Sequence, residues 1–83
     1  IVNIMYNLDK RDKLCDILAG AIELEVNEIT DESSPDNTPE WDSFAHMNMV
    51  AEVEKAYNIK LTLEEVIEMQ SLSKIVEVVS RKV

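Results

Sequence analysis

Turn-forming residues are scarce in this chain, with one glycine and two prolines in 83 residues. An all-β fold needs a tight turn between each pair of short strands, so the composition argues against one. Cys15 stands alone, which excludes a disulfide framework or a cysteine-based zinc site within one chain. Aromatic residues make up 5%, so a core has to come from Leu, Ile, Val and Met. No apolar run approaches the roughly 18 residues of a membrane span, and no signal-peptide layout is present. The expectation is a cytoplasmic protein that does not insert into membranes. Bases are outnumbered too: 17 acids against eight Lys and Arg leave a net charge of −9. Nucleic acid and anionic lipid surfaces need a basic face and are argued against. Partners with basic patches, met quickly through electrostatic steering, are favoured.

What is present is a folded chain. Apolar residues reach 46%, too many for general disorder. The length fits a single domain over 1–83, with a marginal core that helices with apolar stripes build most readily. The chain does not begin with Met, and Ile1 to Ile4 carry no weight here. Three- and four-residue spacings predict helices over about 8–22, 43–57, 62–69 and 72–81. The fold expected is all-α: a four-helix bundle of three longer helices and one short one.

Leu14, Ile17, Leu18, Ala21 and Ile22 form the first stripe, with Asn7 or Asp9 as N-cap and Cys15 at its edge as a small core hydrophobe. Gly20 is costly in a helix and is expected to permit close packing. From Glu23 to Asp42 the periodicity stops, and Asp31 to Pro39 is loop chemistry throughout. Leu24, Val26 and Ile29 are expected to pin the first half of this long loop to the core. Its acids lack the spacing of a calcium-binding loop. Thr62 opens the short helix as a capping box with Glu65, and Val66, Ile67 and Met69 form its apolar side. Ser71 or Ser73 caps the last helix, whose inner stripe is Leu72, Ile75, Val76 and Val79, with Val78 at the edge.

The helix over 43–57 carries two stripes. His46, Met49, Val50, Val53 and Tyr57 share one face; Phe44, Met47 and Ala51 share another, roughly 130° away. A small bundle needs one stripe for its core. The second, bordered by Glu54, reads either as a docking surface or as a second buried contact. Asp42 or Ser43 caps this helix, leaving Ser43 at a loop–helix junction beside the second stripe. As a nucleophile, Ser43 would need a base and an orienting group. His46 is the only histidine, it falls on the core-facing stripe, and no Gly-x-Ser-x-Gly elbow surrounds the serine. One histidine and one cysteine make no metal site. The readings left are a plain helix cap and a point of covalent attachment.

Asp42-Ser43-Phe44, followed by the apolar and acidic run from Met47 to Tyr57, resembles the start of the second helix in the acyl carrier proteins and related peptidyl carrier domains. Ile59 and Leu61, the Thr62-Leu63-Glu64-Glu65 helix start and the Leu72–Val79 helix match the family in order and spacing, so the resemblance covers roughly Lys13 to Val79. It implies a non-catalytic carrier with 4′-phosphopantetheine on Ser43, attached by a phosphopantetheinyl transferase. The arm would hold acyl groups as thioesters for fatty-acid, polyketide or related lipid and cell-surface biosynthesis. Asp42, Phe44, Met47, Ala51 and Glu54 would form the recognition surface for basic-surfaced loading and transfer enzymes, on a monomer. The family commonly has glycine at the position of Trp41, leucine at Phe44 and acids at Ala45, Asn48 and Lys55, and these departures suit a specialised carrier. Alternatives are a peptidyl or aminoacyl carrier, and a small acidic helical interaction domain with Ser43 only as N-cap.

Overall fold

The computed structural model describes residues 2–83, with side chains from Asp9 onward. Four α-helices follow one another: α1 (Val2–Ile22), α2 (Ser43–Tyr57), α3 (Leu63–Glu68) and α4 (Leu72–Lys82). A short 3₁₀ turn at Val26–Glu28 lies between α1 and α2, and no strand occurs among the described residues. The architecture is all-α, as the periodicity predicts. α1 is the central element and packs against both α2 and α4, while α3 leans on α4.

Amphipathic stripes meet in one core. Leu14, Leu18 and Ile22 of α1 face Met49, Val50 and Val53 of α2 and Leu72, Ile75, Val78 and Val79 of α4. Several expectations change. α1 begins at Val2, so Asn7 and Asp9 lie within the helix and neither caps it. Gly20 is exposed, and a Cβ there would meet nothing within 4 Å, so it permits no close approach. Val78 is fully buried and Val76 only half-buried, the reverse of the expected order. Leu72, Ile75, Val78 and Val79 recur at three- and four-residue spacing as the buried arc of α4, which leaves Val76 at its edge. Cys15 is buried, and that burial pushes its thiol pKa up, which keeps it protonated and inert.

The loop between α1 and α2 is built from successive turns. Backbone bonds Ser33 N–H to Thr30 C=O, Asn37 N–H to Ser34 C=O and Trp41 N–H to Thr38 C=O close them. Ser33 Oγ and Asn37 Oδ1 accept from the Thr30 and Ser34 amides, a local competition with regular structure that serine and asparagine favour. Ile29 and half-buried Leu24 anchor the first half as expected, but Val26 is 48% exposed and does not. Arg11 Nε donates to Asp31 Oδ1 at 2.6 Å, and Ser73 N–H donates to Asp31 C=O, so Asp31 ties the loop to both α1 and α4.

α1 and α2 end alike. Glu23 (φ 59°) and Asn58 (φ 53°) are left-handed, with Leu24 N–H reaching Ala19 C=O and Ile59 N–H reaching Glu54 C=O. These are Schellman-type terminations, which favour glycine or asparagine; glutamate is strained there. Replacing Glu23 by glycine should therefore raise the urea midpoint, by about 1 kcal/mol of stability. α3 opens on the expected capping box: Thr62 Oγ1 accepts from Glu65 N–H and Glu65 Oε1 accepts from Thr62 N–H. The Thr62 amide, then Lys82, holds the Glu65 carboxyl below its ordinary range. A lowered folded pKa adds stability at neutral pH that is lost on acidification. Denaturation curves for Glu65→Gln should accordingly fall less steeply than wild type between about pH 5 and pH 3.

Candidate functional site

Asp42, not Ser43, is the N-cap of α2. Its backbone is extended (φ −92°, ψ −178°) and its Oδ1 accepts from the Ala45 amide at 2.8 Å. Ser43 is thereby the first helical residue, exposed, and nothing among the described residues hydrogen-bonds its hydroxyl. The plain-cap reading of Ser43 is overturned by this geometry, because a cap accepts an amide of the first turn and Asp42 already does. The hydroxyl stands free at the positive end of α2, where the first amides have no intrahelical acceptor.

Beneath it lies a contact between residues flanking the cap. Trp41 precedes Asp42 and His46 is the fourth helical residue, the two positions that clasp a helix start. Trp41 is 2% exposed, and its ring lies 6.1 Å from that of His46, centroid to centroid, at 25°. Trp41 Nε1–H donates to His46 Nδ1 at 3.0 Å. Indole can only donate, so Nδ1 accepts and the ring proton sits on Nε2, which donates to Val66 C=O at 2.8 Å. Both ring nitrogens are engaged within the fold. His46 is a packed structural histidine, as its place on the inner stripe predicts, and it is not poised to deprotonate Ser43.

Two recesses lie beside the start of α2, and Ser43 lines the first of them. One, of about 490 Å³, opens between α2 and α3 and is lined by Trp41, Ser43, His46, Met47, Leu63, Val66 and Ile67, among others. The other, of about 880 Å³, lies between α1 and α2 beside Phe44, with Asp16, Glu23, Glu40, Asp42 and Glu52 around it. Phe44 (76% exposed) and Met47 (54%) project into solvent, as does Ala51. The second stripe of α2 is thus a free face and not a buried contact. Glu54 stands apart from the expectation: it is half-buried, and its Oε2 accepts from Leu61 N–H at 2.8 Å, securing the segment before α3. Among the described residues no group of three or more His, Cys, Asp and Glu is arranged to hold a metal ion, and no helix is long and apolar enough to cross a membrane.

The sequence reading missed the role of Trp41, treating it as a departure from glycine. The signal was available: with the cap at Asp42, the clasping positions fall on Trp41 and His46.

A family model described as a phosphopantetheine attachment site matches residues 12–79. Among solved structures, the chain is similar to the holo acyl carrier protein of Geobacter metallireducens, with 27% identity and a TM-score of 0.76, over 88% of this chain and 84% of that one. No curated protein matches.

The cap assignment separates two neighbouring substitutions. Asp42→Ala should cost about 1 kcal/mol in chemical denaturation, with Asp42→Asn retaining most of it. Ser43→Ala, which removes no intramolecular hydrogen bond, should leave the midpoint within about 0.5 kcal/mol of wild type.

Proposed function

The chain belongs to the phosphopantetheine-attachment family of acyl carrier proteins and their relatives, and from that premise we propose that Ser43 bears the 4′-phosphopantetheine arm. Proteins of this family act as carriers and hold the arm covalently. The observation that carries the assignment to Ser43 is its free, exposed hydroxyl at the start of α2, left without a partner because Asp42 holds the cap.

The surroundings fit the group. The positive end of α2 favours a phosphodiester on Ser43, and its leading amides are oriented to face such a charge. When bound, the arm supplies a thiol on which acyl groups ride as thioesters. This chain contributes placement: Asp42 holds the first turn in shape, and the clasp beneath fixes the direction in which Ser43 projects. No base is needed within the chain, because the transferase supplies the attachment chemistry from coenzyme A.

The cargo proposed is acyl. Exposed Met47, Leu63 and Ile67, with half-buried Val66, give the cleft beside Ser43 an apolar wall, which favours a hydrocarbon over an aminoacyl group with its charged ammonium. We assign the protein to fatty-acid, polyketide or related lipid and cell-surface biosynthesis, as a non-catalytic, cytoplasmic, monomeric carrier. Its partners are a phosphopantetheinyl transferase and loading and transfer enzymes with basic surfaces. Asp42, Phe44, Met47 and Ala51 form the docking face, with Glu54 at its border.

Incubation with coenzyme A, magnesium and a broad-specificity phosphopantetheinyl transferase, followed by intact-protein mass spectrometry, tests the assignment. One added arm is expected, mapped to Ser43 by peptide fragmentation, and none on Ser43→Ala of unchanged circular dichroism. Loading retained in that variant would overturn it.

A further inference from the structure

α3 spans six residues, too few turns to persist without support. Support from behind is plain: Arg81 Nη2 lies 2.8 Å from Glu68 Oε1, Lys82 Nζ lies 3.2 Å from Glu65 Oε1, and Met69 is fully buried. These contacts hold α3 to α4. On the side toward α2 the apolar residues do not close. Leu63 and Ile67 are 71% and 61% exposed, and Met47 across the cleft is 54% exposed. Of the apolar side chains of α3 only half-buried Val66 packs against the core, so apolar contact sets the separation of α2 and α3 only loosely.

A hydrogen bond crosses that gap. The carbonyl of Val66 lies in the last turn of α3, where helical carbonyls lose their amide partners. The Gln70 amide, four residues on, turns to Glu68 C=O instead. His46 Nε2–H takes up the Val66 carbonyl, capping the end of α3 from α2. The bond depends on the tautomer, and Trp41 Nε1–H selects the one that donates from Nε2. Trp41, His46 and Val66 form a one-directional relay, each group donating to the next, from the loop through α2 to α3. It runs along the cleft beside Ser43, and all three residues line that cleft.

We propose that His46 is a positioning residue: it latches α3 to α2, Trp41 fixes its tautomer, and together they set the width of the cleft beside Ser43. The latch is a property of the unmodified chain. Its consequence for cargo, that a loose α3 exposes a thioester otherwise sheltered in the cleft, rests on the carrier reading.

The test begins with unmodified protein. His46→Gln keeps a donor and an acceptor, His46→Phe keeps bulk and removes both, and Trp41→Phe removes the indole donor together with part of the buried ring. By ¹⁵N NMR, wild-type His46 should carry its proton on Nε2, and Trp41→Phe should shift the ring toward a mixture of tautomers. In hydrogen exchange, His46→Phe should speed the α3 amides about five- to tenfold, the size of one net hydrogen bond, and leave α1 and α4 little changed. His46→Gln should restore most of the protection. Unchanged α3 exchange in His46→Phe, a uniform rise across all helices, or no rescue by glutamine would overturn the latch. The second stage loads an octanoyl thioester and follows its cleavage by hydroxylamine. Faster cleavage in His46→Phe than in wild type and His46→Gln is expected, and equal rates would overturn the sheltering role. If no arm attaches to Ser43, the carrier assignment fails, and the exchange data still decide the latch.

Discussion

Burial of Trp41 is the constraint on which the rest of the site depends. Its side chain is fully buried in a core otherwise made of aliphatic residues, Met, Ala and one Cys, and it enters from a loop and not from a helix. Burying an indole removes on the order of 200 Å² from water, the largest such gain available to one side chain. That gain fixes the end of a long connection whose ordering is otherwise opposed by chain entropy. With Trp41 fixed, its neighbour Asp42 stands at the cap, where its carboxylate accepts from the Ala45 amide.

From that one fixed point the division of labour at the start of α2 follows. The cap satisfies the helix, so the next residue owes nothing to it. Ser43 is exposed and chemically uncommitted because its neighbour does the structural task. A serine that also capped the helix would lose stability on being modified; here modification breaks no intramolecular bond. The same separation appears further along α2. Met49, Val50 and Val53 hold the core, Phe44, Met47 and Ala51 face outward, and Glu54 secures the following segment through Leu61.

α3 shows how a small domain keeps an element that cannot stand alone. Its first turn is closed by a reciprocal cap, its back is held by α4 through two ion pairs, and its last turn is capped by a histidine from another helix. Exposed ion pairs are individually weak. The hydrogen bond from His46 is directional, and its donor is chosen by a second hydrogen bond inside the core. A polar relay of this kind specifies geometry, while the apolar residues around it leave a cleft open to solvent.

The sequence by itself determined which four stretches are helical, though not that α1 begins as early as Val2, because a 3.6-residue apolar period marks them, and it determined the capping box at Thr62 and Glu65, because that signal is local. It also singled out Asp42 and Ser43, since acid and hydroxyl at a loop–helix junction are visible without coordinates. It could not choose between them as cap, which turns on the backbone angles of the loop. Only the tertiary structure decided that Ser43 is unpartnered, that Val78 faces inward ahead of Val76, that Glu54 is committed to Leu61, and that Trp41 and His46 join the loop to α3. The first depends on the backbone angles of the loop, and the others on groups brought together from separate segments or on the rotation of one helix against its neighbours. Periodicity fixes which residues share a face, but the direction in which that face points is set by packing.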